Sequence, residues 1–130
     1  MIDLLLDTSV IIDLDRLDLG DRASATGFVS AVTIGELAYG LDVDDPIERA
    51  VRADRYYATL DQFDVLAFDL PAAKLYGTMA ALVRRSGRNP RPRRMDLQIA
   101  ATAAAHGLPL LTRNIADFHG LERVVDVVAV

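Results

Sequence analysis

The chain has 130 residues, of which 52% are hydrophobic and 25% are charged, and this composition is typical of one globular domain. It contains no cysteine, which excludes disulfides, thiolate zinc sites and a cysteine nucleophile and agrees with a cytoplasmic protein. The net charge of −5 argues against general nucleic-acid binding, because such affinity comes mostly from Lys and Arg on phosphates. The amino terminus carries acids inside its apolar run, so we expect neither a signal peptide nor a membrane span.

The first half of the chain predicts two strand–helix units followed by a long helix. The predicted elements are, in order, a strand at 2–6, a helix at 8–16, a loop at 18–26, a strand at 28–32, a helix at 33–40 and a helix at 47–63. Pro46 is well placed near the start of the long helix. We expect Ala50, Val51, Tyr57 and Leu60 to form the buried face of that helix.

The second half continues the alternation of strands and helices. The predicted elements are a strand at 65–68, a helix at 70–85, a basic segment at 84–94, a helix from Asp96 to Gly107, a strand at 108–111 and a final strand at 124–130. Such alternation predicts a parallel α/β sandwich with right-handed crossovers.

Four acids lie where predicted strands end or predicted helices begin: Asp7, Glu36, Asp96 and Asp117. Each has a simple structural explanation. Asp7 and Asp96 suit helix N-caps, Glu36 lies three residues after Thr33 as in a capping box, and Asp117 suits a turn. Together they suggest more, because a parallel α/β sheet can bring such positions to one edge, where ligands bind.

Four carboxylates at one edge would repel one another unless they were protonated or bound to a cation. An oxygen-only site without Cys or a His motif favours Mg²⁺ or Mn²⁺ over zinc. The chemistry that needs such a site is the attack of water on a phosphodiester, in which the metal activates the water and neutralises the leaving oxygen. Thr8, Thr112 and Asn114 are candidates for positioning a water or phosphate, or they only cap local turns.

Six of the fourteen basic residues lie between Arg84 and Arg94. A basic segment on an acidic domain suggests a localised contact with a polyanion. We therefore expect Arg88, Arg91 and Arg93 to bind the phosphate backbone of such a polyanion, with a solvated loop as the alternative.

Other classes of protein match the sequence less well. A phospho-receiver domain needs a Lys near its last strand, but the only Lys, Lys74, falls on the predicted helix 70–85. A phosphatase of the DxD type needs an Asp at the position of Ser9, and Ser9 has no evident His–Asp partner to make it a nucleophile. A catalytically inactive domain that only binds a nucleic acid or a protein is the alternative interpretation.

Three segments together resemble the PIN-domain ribonucleases, specifically the VapC-type toxins of type II toxin–antitoxin pairs. These segments are LLLDTSVII at the start, TIGELAYGL around Glu36 and MDLQIAATAAAHGLPLLTRNIADF from Met95. The resemblance spans nearly the whole chain and implies a three-layer α/β/α sandwich with a mainly parallel sheet. It also implies metal-dependent cleavage of RNA.

Carried over residue by residue, the resemblance implies Asp7 and Asp96 as principal Mg²⁺ ligands, Glu36 as the second acid and Asp117 as the fourth. Family members often carry an acid at the position of Asn114, so the fourth role falls on either Asn114 or Asp117.

The resemblance further implies a cognate antitoxin that lays an amphipathic segment along an apolar groove and places a basic side chain among the acids. Leu37, Tyr39 and Leu41 are candidates for that groove, or they belong to the core. A homodimer is implied as well, and no membrane partner is expected.

Overall fold

A computed structural model describes residues 3–20, 22 and 26–130. Its centre is a five-stranded sheet in the order β3-β2-β1-β4-β5, and every neighbouring pair of strands is parallel. The strands are β1 (Asp3–Leu6), β2 (Thr26–Ser30), β3 (Asp64–Leu66), β4 (Leu110–Thr112) and β5 (Val127–Ala129). The predicted parallel α/β architecture is therefore confirmed.

In the described part of the chain, five α-helices connect and cover the strands. They are α1 (Thr8–Ile12), α2 (Ala31–Tyr39), α3 (Pro46–Gln62), α4 (Leu70–Arg85) and α5 (Arg94–Ala105). Short 3₁₀ helices lie at Leu14–Arg16, Arg91–Arg93 and Ile115–Phe118. No helix in these described ranges is both long and apolar enough to span a bilayer.

The central strand β1 supplies both layers of the core. Its side chains alternate across the sheet, so that Leu5 packs with α4 and α5 while Leu4 and Leu6 pack with α1 and α2. All three are at most 5% exposed, and burying each such side chain contributes about 1.5–3 kcal/mol. The sheet is thus covered on both faces, and its functional groups are left at the strand ends.

Helices α4 and α5 form the larger layer. The structure confirms the bounds predicted for α4, and Ala72, Met79 and Val83 on its predicted apolar face are buried. The small residues of α5 let it approach the sheet closely, since Ala100, Ala101 and Ala103 are all fully buried. Gly107 ends this helix as predicted, with a φ of +65° that favours glycine.

The prediction for α3 was wrong about its buried face. Val51, Tyr57 and Leu60 are 40–64% exposed, and Ala50 is exposed as well. The helix instead turns inward the face of residues 52, 55, 56 and 59, on which Thr59 is buried and donates its hydroxyl to the Arg55 carbonyl at 2.7 Å. On this face Tyr56 packs against the core, but its neighbours Arg52, Arg55 and Thr59 are polar, so apolar residues were a poor guide to it.

Several predicted boundaries also shift. The second strand runs over Thr26–Ser30 and α2 begins at Ala31, two residues before the predicted helix start, because Ser30 and not Thr33 caps the helix. Predicted strand residue 2 and part of the predicted loop at 18–26 lie outside the described residues.

Candidate active site

The sheet order places two strand ends side by side at its centre. After β1, the chain crosses to β2 and β3 on one side and later returns to β4 and β5 on the other. The crevice beyond the carboxyl ends of β1 and β4 is therefore the switch point at which ligands bind in open α/β sheets. Asp7 directly follows β1, its N–H donates to the Leu111 carbonyl at 2.9 Å, and Thr112 ends β4.

Asp7 is a buried carboxylate with one saturated and one free oxygen. Asp7 is only 3% exposed to solvent. Oδ2 accepts hydrogen bonds from Ser9 Oγ at 2.7 Å and from Thr112 Oγ1 at 2.9 Å, whereas Oδ1 is buried without a partner among the described residues. A buried acceptor left unpaired is costly, so this oxygen marks a position for a ligand.

Glu36 lies in α2 and is held by Thr8 from the first turn of α1. Thr8 Oγ1 donates to Glu36 Oε1 at 2.9 Å and also lies 2.9 Å from Thr33 Oγ1. Burial raises the pKa of Glu36, the charge of Asp7 raises it further, and the Thr8 hydrogen bond lowers it. The carboxylate is thus oriented while remaining a stronger base than usual.

Asp96 lies in the first turn of α5 and faces the other acids. Burial raises its pKa to about 6, and the charges of Asp7, Asp117 and Glu36 act in the same direction, while Arg93 opposes them. This coupling shows that all four predicted acids share one electrostatic environment.

Asp117 lies in the 3₁₀ helix Ile115–Phe118 and is paired with Arg93. Arg93 Nη1 donates to the Asp117 carbonyl at 2.8 Å and lies 3.3 Å from Asp117 Oδ1. Asn114, the alternative fourth position, is exposed; its backbone N–H donates to Thr112 Oγ1 at 3.0 Å and its carbonyl accepts from the N–H of Asp117 at 2.9 Å.

The capping explanations do not hold for three of the acids. Asp7 precedes α1 but makes no side-chain cap bond there, because Oδ2 is used by Ser9 and Thr112. Ser30 caps α2 through the N–H of Val32 at 3.1 Å, which places Glu36 inside the helix. Asp96 is also one turn inside its helix, whose N-cap position is Arg93.

The donor set suits a hard divalent cation. It consists of carboxylate and hydroxyl oxygens, and Asp7 Oδ1 is a buried oxygen without a partner among the described residues. No group of three or more acidic or histidine side chains in the described part of the chain is gathered closely enough to hold a metal by itself. Mg²⁺ commonly binds through one or two carboxylates and keeps several waters, so Asp7 with Asp96 fits it.

The basic segment contacts the protein itself. Arg88 Nη2 donates to the His119 carbonyl at 2.6 Å, and Arg93 is held by Asp117. Arg91 is exposed; its backbone N–H donates to Asn89 Oδ1 at 3.1 Å and its carbonyl accepts from the N–H of Arg94. Binding of RNA by these three residues stays a prediction, and Arg91 has the freest side chain of the three.

The three candidate groove residues have different environments. Leu37 is 9% exposed, belongs to the core and lines a groove of about 410 Å³ between α1, α2 and α3. That groove also reaches Thr8 and Glu36. Tyr39 is 82% exposed and Leu41 is half-buried, and neither lines this groove.

Two residues that the sequence did not assign to the site complete the geometry. Ser9, which has no partner to make it a nucleophile, instead orients Asp7 and accepts a hydrogen bond from the N–H of Arg113 at 3.2 Å. Thr33, which the sequence suggested only as a cap, is fully buried and bonds Thr8. The sequence did carry one signal for Ser9, because it lies two residues after Asp7, the acid at the end of a predicted strand.

Comparisons with known proteins agree with this architecture. The family model described as PIN domain matches residues 4–123. The chain is 34% identical over 131 residues to Ribonuclease VapC5 of Mycobacterium tuberculosis, covering 94% of this chain and 90% of the relative. It is 33% identical over 90 residues to the tRNA(fMet)-specific endonuclease VapC of Shigella flexneri, covering 69% and 65%.

Solved structures give the same result. The crystal structure of VapBC-5 from Mycobacterium tuberculosis, a member of the VapBC family of toxin-antitoxin systems, matches with a TM-score of 0.79 and 29% identity over 100% of this chain and 98% of that one. FitAcB from Neisseria gonorrhoeae matches with a TM-score of 0.73 and 27% identity over 95% of each chain. The family model alone spans most of the chain, and this protein therefore belongs to the PIN domain family.

Proposed function

We propose that this protein is a metal-dependent endoribonuclease of the VapC type, the toxin of a toxin–antitoxin pair, that hydrolyses RNA phosphodiester bonds. The observation that carries the mechanism is Asp7, a buried carboxylate with one oxygen fixed by two hydroxyls and the other unpartnered among the described residues. The ribonuclease class is supported by relatives named as ribonucleases and endonucleases.

Asp7 and Asp96 are the residues that would hold Mg²⁺, or Mn²⁺ in its place. Such an ion, when bound, lowers the pKa of a water and stabilises charge on the phosphate. The raised pKa of Asp96 supports this role, because a nearby cation relieves the repulsion that makes its ionised form unfavourable. Ser9 and Thr112 hold Asp7 in one orientation without cancelling its charge.

Glu36 is the residue we assign to accept the proton of the attacking water. A general base works best when its pKa lies nearer the operating pH, and burial raises the pKa of Glu36. Thr8 fixes one carboxylate oxygen, which leaves the other for the water. Asp117 is the fourth acid, since it acts electrostatically on Asp96 whereas Asn114 is exposed.

The basic segment is the proposed contact for the RNA backbone. Arg91 is exposed with a freely available side chain, and Arg84, Arg85 and Arg94 are exposed beside it. Phosphate contacts of this kind position a nucleic acid without reading its sequence.

An antitoxin is the proposed protein partner, because matching solved structures are toxin–antitoxin complexes. The groove between α1, α2 and α3 has an apolar part at Ile12 and Leu37 and ends at Glu36. An amphipathic segment bound there would bring a basic side chain to the acids. Pulldown with the protein encoded by the neighbouring small gene tests this; failure to recover a complex contradicts it.

A homodimer and a cytoplasmic location complete the proposal. Light scattering of the purified protein measures whether it is a dimer.

The deciding experiment is cleavage of total cellular RNA by purified protein with Mg²⁺ or Mn²⁺. Cleavage that disappears with EDTA and in Asp7→Asn and Asp96→Asn variants establishes the mechanism. Equal cleavage by the variants would identify a contaminating nuclease. An inactive protein that still binds its antitoxin would instead be a binding module.

A further inference from the structure

Arg93 lies beside Asp117 and brings a positive charge to the acidic cluster, where it lowers the pKa of Asp96. The other groups with a resolved charge effect on that residue are Asp7, Asp117 and Glu36, all of them acidic. Arg93 lies at the junction of the 3₁₀ helix Arg91–Arg93 and α5, three residues before Asp96. Its position is therefore fixed by the same turn that presents Asp96.

Two contacts hold the guanidinium in place. Nη1 donates to the Asp117 carbonyl at 2.8 Å and lies 3.3 Å from Asp117 Oδ1. The backbone contact gives the arginine an anchor that does not depend on the charge of the carboxylate. Arg88 makes a parallel contact to the His119 carbonyl at 2.6 Å, so the basic segment is fastened at two points to the segment that carries Asp117.

This pairing changes what Asp117 can do. A carboxylate already beside a guanidinium has less attraction for a metal ion, and an ion bound there would lie next to a like charge. Asp7 is in the opposite situation, because its partners are neutral hydroxyls and its Oδ1 has no partner among the described residues.

We infer that Arg93 is a positioning residue whose guanidinium takes the place of a second metal ion beside Asp117. The chain therefore binds a single divalent ion, at Asp7 and Asp96. The inference rests on the proposed function and specifies the number of metal ions. Arg93 thereby holds Asp117 in place and is not available to bind the RNA backbone.

The test is a titration of the purified full chain with Mn²⁺, followed by calorimetry and by the electron paramagnetic resonance signal of free Mn²⁺. We expect one ion per wild-type chain and two per Arg93→Gln chain, because the variant frees Asp117. Arg93→Lys retains a cation and should bind one. The matched control is Arg94→Gln, which removes the same charge from the neighbouring exposed residue and should also bind one.

Two ions in the wild type, or one in a folded Arg93→Gln variant, would overturn the inference. Circular dichroism establishes whether that variant folds. If it does not, Asp117→Asn decides: Mn²⁺ affinity within about threefold of wild type supports the inference, whereas a loss of more than about tenfold, as for a lost ligand or its close support, overturns it. A wild-type chain that binds no Mn²⁺ would instead refute the proposed metal site at Asp7 and Asp96.

Discussion

The two sides of the acidic site hold their carboxylates by different means. On the inner side, the partners of Asp7 and Glu36 are hydroxyls from Ser9, Thr112 and Thr8. On the outer side, the partner of Asp117 is a guanidinium. A hydroxyl orients a carboxylate and leaves its charge intact, whereas an arginine orients it and offsets part of the charge. The inner side therefore attracts a cation, whereas the carboxylate on the outer side already has a cationic partner in Arg93.

The two kinds of contact also differ in strength. A hydrogen bond from a hydroxyl to a buried carboxylate contributes about 1.5–3 kcal/mol, whereas an ion pair as exposed as Arg93–Asp117 typically contributes about 0–1 kcal/mol. Side-chain exposures of 32% and 39% place that pair near solvent. Substitutions on the inner side should consequently have the larger effects.

Thr112→Val, on the inner side, should have the largest effect. It removes a donor from Asp7 Oδ2 and keeps the side-chain shape, so we expect a loss of about 10–100-fold in Mn²⁺ affinity and in RNA cleavage, the range typical of groups that orient metal ligands. Thr78→Val is the matched control, because Thr78 is exposed and bonds only a backbone carbonyl of its own helix. Unchanged Mn²⁺ affinity in Thr112→Val would contradict the role given to this hydroxyl.

Asp96→Asn should stabilise the metal-free protein at pH 7. The pKa of Asp96 is raised to about 6 from 3.8, so the folded state binds more protons than the unfolded state between these values, and stability falls as pH rises through that window. Removing the charge should recover on the order of 1–2 kcal/mol at pH 7, a value reduced for partial exposure. The gain should shrink toward pH 4.

Urea unfolding with EDTA at pH 4, 5, 6 and 7 measures this gain. Asp54→Asn, an exposed acid on α3, is the control and should show no such pH trend. Saturating Mn²⁺ should stabilise the wild type but not Asp96→Asn. A variant less stable than wild type at pH 7 with EDTA present would show that the surroundings do not disfavour the ionised form of Asp96.

Thr8→Val should slow RNA cleavage by about tenfold, because Glu36 is only half-buried and its hydrogen bond should lie near the low end of the range of about 1.5–3 kcal/mol. Because the Thr8 hydrogen bond lowers the pKa of Glu36, its loss should also move the acidic limb of the pH–rate profile to higher pH. The affinity for Mn²⁺ should change little, since the Thr8 hydroxyl bonds Glu36 and Thr33 and neither proposed metal ligand. A tenfold loss with an unmoved acidic limb would exclude Glu36 as the group that titrates there.

Arg91→Gln should have the smallest effect and tests whether the exposed arginine differs from Arg93 two residues later. The affinity for RNA falls as salt rises, and one lost phosphate contact should reduce the slope of log affinity against log salt concentration by about 0.7. Between 50 and 200 mM salt, the variant should therefore lose about threefold less affinity than the wild type. Binding assays with an Asp7→Asn background prevent cleavage during the measurement. An unchanged slope would leave the basic segment as a solvated loop.

The sequence predicted most of the fold because the relevant signals are local. The amphipathic pattern of α4 and the glycine after α5 are readable within a few residues. The buried face of α3 was missed because it combines Tyr56 with the polar residues Arg52, Arg55 and Thr59, so apolar residues did not mark it.

The sequence predicted which acids form the candidate site, but it did not predict the contacts that hold them. Acids at strand ends can be recognised from spacing, but the bond from Thr112 to Asp7 joins residues 105 positions apart. The pairing of Arg93 with Asp117 likewise depends on how two loops meet. Such contacts depend on side-chain orientation, and neither leaves a pattern in the local sequence.

The distance in sequence between Asp7 and Thr112 has a consequence for synthesis. A ribosome makes Asp7 early, but β4, which fixes it, emerges only after more than a hundred further residues. The nascent chain therefore has no assembled cleavage centre until β4 has been made and has paired with β1. A nuclease arranged in this order cannot become active from its amino-terminal half alone.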